Sequence, residues 1–274
     1  MRVSTVSSLP ASPEPFMSSS QRQGSRSGPS VRAAWVWENR KASSRWYWVA
    51  LVVLCTLGMA SGSSQYVSYR DVFDAQGASW LAVWGQATLL PSMMFIPLLV
   101  GALIAQIAAG EHAGRNWQRM NANRLQDAMI LGKILHMAQV ALLSALVLLV
   151  EFVITGLLLG FDPAGLGPYA ERIVPVTVSI LAAELFFAWL GVIMTSFSSV
   201  MATVLVVVVA GSAITVMAPR AGALLPSSFI TAACASRDPG SIDSMSSMIF
   251  VTLLGILWAL VWALALRRAV NRAS

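Results

Sequence analysis

The sequence predicts an all-α, polytopic membrane protein with six transmembrane helices and both termini in the cytoplasm. Three observations carry that prediction. Only 11% of the 274 residues are charged and 57% are hydrophobic, whereas a soluble domain carries about 25% charged residues; such a chain cannot clothe a globule in polar side chains. The apolar residues gather in six runs near the roughly 20-residue length that crosses a bilayer as a helix. The basic residues fall between those runs, mostly on one side of the membrane the runs would define.

The first run extends from Trp46 to about Ser61 and the second from about Thr88 to Ala109. The third, about Ile134 to Gly160, is long enough to tilt. The fourth covers about Ile173 to Thr195, the fifth Val200 to Ala218 and the sixth Met248 to Leu266. None alternates apolar and polar residues as barrel strands do, so helices are expected. With six spans, one side receives Arg32, Arg40, Lys41, Arg45, Arg115, Arg119, Arg124, Lys133, Arg267, Arg268 and Arg272. The other receives Arg70, Arg172, Arg220 and Arg237. The richer side is expected to be cytoplasmic.

The net charge of +6 also fits a nucleic-acid binder, but there the cations would cluster on one soluble face. Here they flank apolar runs, and no nucleic-acid partner is expected. Cys55 lies in an apolar run and Cys234 in a polar loop, at different expected depths, which argues against a disulfide. Residues 1–30 are rich in Ser, Pro, Gly, Arg and Gln, lack apolar periodicity and predict a disordered cytoplasmic tail; Met17 is a second candidate start. Residues 31–274 form the membrane domain.

Two segments are more than plain spans or connectors. Residues 31–45 set Trp35 and Trp37 among Arg32, Arg40 and Lys41, the composition of an interfacial helix or of a basic flank with belt tryptophans. Residues 110–135 are polar, yet Trp117, Met120, Leu125, Met129 and Ile130 recur at helix-like intervals. One or two amphipathic helices are expected there, since a bare connector needs only a few residues.

The order of these elements, with Glu111, Gly114, Asn116, Trp117, Arg124, Gly132 and Lys133 in the connector, resembles the permease subunit of ABC type-2 exporters. Within that group it resembles the branch handling bacteriocins and lantibiotics in self-protection. One departure is the run Asn121-Ala122-Asn123-Arg124, where many relatives have Pro before the Arg. The resemblance implies a cytoplasmic coupling helix between spans two and three that docks on an ATPase, with Glu111, Gly114, Trp117, Arg119 and Arg124 as coupling residues. It further implies a second permease, identical or paralogous, completing a dimer in the plasma membrane. It also implies helical elements between spans five and six that dip back toward the membrane; residues 219–246 suit such a re-entrant turn or a plain external loop.

No Walker A pattern occurs: Lys133 follows Gly132, but the earlier glycine and the following Ser or Thr are missing. ATP hydrolysis is therefore expected in a separate partner chain, with no cofactor and no enzymatic activity in this one. No Ser-His-Asp, HExxH or paired-Cys arrangement supports nucleophilic or metal chemistry, and His112 and His136 lack spaced companion ligands.

Glu151 in span three and Glu184 in span four are intramembrane carboxylates, each a functional-site hypothesis. Counted from a turn near Gly167, they are expected at similar depth. They read as a substrate-contact or proton-relay pair, or as polar glue between helices. Pro91 and Pro97 are expected to kink span two. Beside the exporter stand a proton-coupled secondary transporter using the two glutamates and a non-transport assembly protein; the first predicts internal repeats, the second polar catalytic clusters.

Overall fold

A computed structural model describes residues 30–41, 44–123, 125–218, 222 and 225–272. The expected tail falls, but for Ser30, outside the described residues, as does Arg124. Every element among the described residues is helical. Six helical stretches are long and apolar enough to cross a membrane: 45–68, 79–113, 126–158, 163–193, 197–217 and 245–272. This is the architecture of a multi-pass membrane protein.

The short helix α1 (Val31–Lys41) leads into span one, α2 (Arg45–Ser68). The turn helix α3 (Arg70–Ala75) precedes span two, which comprises α4 (Ser79–Leu90), a π-helical segment Pro91–Phe95, and α5 (Ile96–Ala113). A proline removes a backbone donor and crowds the preceding turn, and Pro91 opens the wider segment. Helix α6 (Asn116–Ala122) connects to span three, α7 (Gln126–Leu158). Then come α8 (Gly167–Glu171), span four α9 (Ile173–Ile193), span five α10 (Phe197–Met217), the short α11 (Phe229–Ala233) and span six α12 (Met245–Arg272).

Several helix ends differ from the apolar runs. Span one continues to Ser68 and span two begins at Ser79, because small and aromatic residues outside the apolar runs pack inside the bundle. Gly58 and Gly62 let α2 close on α4: a Cβ on Gly58 would lie 2.5 Å from the Ala87 carbonyl oxygen, and one on Gly62 2.8 Å from that of Val83. Small residues four apart are how membrane helices reach such contact. Span three begins at Gln126, so Lys133 belongs to a spanning helix instead of preceding it.

Helix α9 is central, packing against α5, α7, α10, α11 and α12, with Ile180, Ala183 and Phe187 fully buried. The outer helices turn apolar side chains outward, among them Val53 and Leu57 on α2, Val206 and Val209 on α10, and Leu253, Leu257, Leu260 and Leu264 on α12. Lipid accommodates such a surface.

The segment between spans five and six is not a plain loop. Ser227 donates to the Val207 carbonyl at 3.3 Å, ten residues before the end of α10, about 15 Å back along its axis. Phe229, Ile230, Ala233 and Cys234 are buried. Trp84 Nε1 donates to the Cys234 carbonyl at 2.7 Å, and the Thr88 and Ser236 hydroxyls bond each other at 2.7 Å. Irregular backbone at such depth is stable only where protein partners satisfy it. Cys234, expected in a polar loop, is therefore a buried thiol, and both cysteines are free.

Arg172 holds this segment. The composition pattern places it on an outer flank, yet it is completely buried. Its guanidinium donates to the carbonyls of Ala233, Ser241 and Ile242. Its planar fork of five donors suits several carbonyls at once.

Candidate functional site

The site lies at the end of the bundle that carries α1, α6 and the last turns of α12. These elements meet there: Asn121 donates to the Val270 carbonyl at 3.0 Å, and Arg267 pairs with Asp127 at 2.9 Å. Span two ends in Gly110-Glu111-His112-Ala113, and the chain turns through Gly114 and Arg115 into α6. Arg115 takes the left-handed conformation, φ 50°, uncommon for a residue with a Cβ. The turn is tight enough to return the chain to α7 within about a dozen residues.

Four charged side chains meet beside this turn. Glu111, 2% exposed, accepts from both Lys41 of α1 and Lys133 of α7. Lys133 also donates to Glu38 of α1 at 2.8 Å, and Glu38 is 2% exposed. Two carboxylates and two ammoniums make a neutral set, as buried charges must when desolvation of each ion costs several kcal/mol. The Trp117 ring lies 5.4 Å from the Lys133 ammonium, within cation–π range. Gly132 permits the approach of α1, since a Cβ there would sit 2.7 Å from the Ala34 methyl. A cavity of ≈ 40 Å³ among Glu38, Trp117, Lys133 and His136 has room for about two waters.

Of the predicted coupling residues, Glu111 and Trp117 join this network and are buried. Gly114 is exposed in the turn, its absent Cβ leaving space 3.1 Å from the Asn116 amide. Arg119 is exposed and lines a cleft between α6 and α1. Arg124 lies outside the described residues. The amphipathic expectation resolves into one seven-residue helix with Trp117 and Met120 inward and Gln118 and Ala122 outward. His112 bonds the Gly191 carbonyl at 2.8 Å, tying the turn to α9. The sequence reading missed Glu38 as a partner; its signal is one acid in an otherwise basic segment, three residues before Lys41.

Glu151 and Glu184 are not brought together. Glu151 accepts from Thr56 at 3.2 Å in a groove between α2 and α7. Glu184 is fully buried, and neither carboxylate oxygen has a hydrogen-bond partner. Glu184 stands four residues further into its helix from the connecting turn than Glu151 does, about 6 Å along the axis, so the expectation of matched depth fails. The reason is that the turn occupies residues 159–172: Glu151 lies seven residues from the end of α7 and Glu184 eleven from the start of α9.

The fold and this network define a six-span helical membrane protein with an ion-paired turn at one end. No family model matches the chain, and no curated protein matches it by sequence.

Proposed function

We propose that the chain is the permease subunit of an ATP-driven ABC type-2 exporter, working as a dimer with a separate ATPase subunit in the plasma membrane. The observation that carries this reading is the turn between spans two and three. Helix α6 and the residue before it project a small outward face, Arg115, Gln118 and Ala122, while Glu111, Lys133 and Trp117 seat the inner side of α6 on two spans and on α1. A push on α6 is therefore delivered to α5 and α7 together, as a coupling helix requires. The basic residues at this end favour a cytoplasmic placement of both termini, and Trp35 and Trp37 favour an interfacial α1. A hydrophobic peptide or antibiotic is the cargo the resemblance favours.

Co-purification with an ABC ATPase subunit from the same cell tests the reading. The intact chain is expected to retain the ATPase, and Arg115→Ala with Gln118→Ala to reduce retention at least tenfold without lowering thermal stability. Failure of the intact chain to bind any such ATPase would overturn the proposal.

A further inference from the structure

We propose that the cleft between α1 and α6 binds the phosphodiester headgroup of an anionic phospholipid. The cleft measures ≈ 360 Å³ and is lined by Glu111 from the last turn of span two. Asn116, Arg119, Met120 and Asn123 line it, and the i, i+3, i+4, i+7 spacing makes them one face of α6 and its following turn. Gln118 and Ala122, on the face proposed to meet the ATPase, do not line the cleft.

Its charge favours an anion. Glu111 borders the cleft, but its carboxylate already accepts from Lys41 and Lys133, and Lys133 also holds Glu38. Three cations, Lys41, Lys133 and Arg119, therefore face two carboxylates, leaving one positive charge over. Arg119 forms no ion pair among the described residues, and Arg40 and Arg115 nearby are exposed and of the same sign. The Asn116 amide adds a donor beside Arg119, suited to phosphate oxygens.

Its apolar part points to a lipid instead of free phosphate. Trp37 is 60% exposed at the cleft, and the half-buried Leu125 and Met129 continue the surface toward α7. Phosphate would satisfy the cations and leave these side chains wet. A lipid places its phosphate on Arg119 and Lys41, its glycerol on Trp37 and its first methylenes on Leu125 and Met129. Tryptophan at the interface beside basic residues is the usual setting for such a headgroup.

The test uses the full chain in detergent, with dioleoyl-phosphatidylglycerol, dioleoyl-phosphatidylcholine and inorganic phosphate as probes and native mass spectrometry and thermal unfolding as readouts. One phosphatidylglycerol per chain is expected to be retained and to raise Tm, with neither other probe doing so. Arg119→Gln is expected to weaken retention about fivefold, the effect of one basic side chain near a phosphate. Arg268→Gln, an exposed cation of α12 outside the cleft, is expected to leave it unchanged. Equal losses from the two variants would mean diffuse attraction and overturn the site. So would equal retention of phosphatidylcholine, stabilisation by phosphate alone, or retention by monomers but not dimers, which would mean a second copy fills the cleft.

Discussion

Lys133 of α7 donates to Glu38 of α1 at 2.8 Å while also holding Glu111 of α5, so one ammonium joins three helices at the end of the bundle. Lys133→Ala strands the buried Glu38 carboxylate, leaves Glu111 with Lys41 alone and is expected to cost about 3–5 kcal/mol. Glu38→Gln leaves Lys133 with Glu111 and is expected to cost about 1 kcal/mol. Thermal unfolding of the two variants in detergent gives the comparison; equal shifts in Tm would mean that Lys133 is not the common partner.

Arg172 and Cys234 make a second pair to probe. The Cys234 thiol is completely buried, so the native protein is expected to resist maleimide at this residue near pH 7. Arg172→Leu releases the carbonyls of Ala233, Ser241 and Ile242. Cys234 is then expected to label at least tenfold faster. Arg172→Lys is expected to restore protection only in part, since one ammonium cannot span carbonyls on both sides of the segment. Mass spectrometry of labelled peptides reads the outcome, with Cys55 as the internal reference.

Gly58 marks where α2 and α4 approach most closely. Gly58→Val sets a branched side chain against the Ala87 carbonyl and the Pro91 ring. Overpacking of this kind costs typically 1–3 kcal/mol. Gly77, with nothing within 4 Å of its Cβ position, has only its φ of 62° to object, and Gly77→Asn is expected to be nearly neutral because Asn tolerates that conformation. A Tm lowered as much by the second change as by the first would contradict the packing account.

The turn between spans one and two is expected to loosen in acid. Tyr66 donates to Asp74 at 2.7 Å, and Ser79 and Arg70 add further bonds. The Tyr66 hydrogen bond, followed by those from Ser79 and Arg70, holds the Asp74 carboxyl below its ordinary value. A lowered folded pKa means that this contribution is present above the unfolded value, near 4, and is lost as pH falls through the lower folded value. Hydrogen-exchange protection over residues 69–78, corrected for the intrinsic rate at each pH, is expected to fall below about pH 4 in the native chain and to be already lower, without that pH step, in Asp74→Asn.

Much of the fold is legible along the chain because a spanning helix must be apolar over its whole length. Six runs were visible, with the order of short and long elements between them. Span ends were less legible, since Ser79-Trp80-Leu81 and Gln126 to Lys133 are polar or mixed yet pack on neighbouring helices. The site was legible in part: Glu111 and Trp117 stood out in the connector, but Glu38 and Arg172 read as ordinary flank residues. Their roles depend on contacts across 95 residues for Lys133 with Glu38 and 61 to 70 for Arg172 with its carbonyls, which no local pattern encodes.

By itself the sequence determined the membrane class, the number of long apolar helices and the amphipathic connector, because hydropathy and helical period are local properties of the chain. Only the tertiary structure decided that α1 closes an ion network over Gly132, that residues 225–244 fold back against span five, and that Glu151 and Glu184 stand at different heights. Each of those outcomes depends on how helices align side by side. That alignment is set by small residues, prolines and buried charges acting between distant segments, and hydropathy carries no record of it.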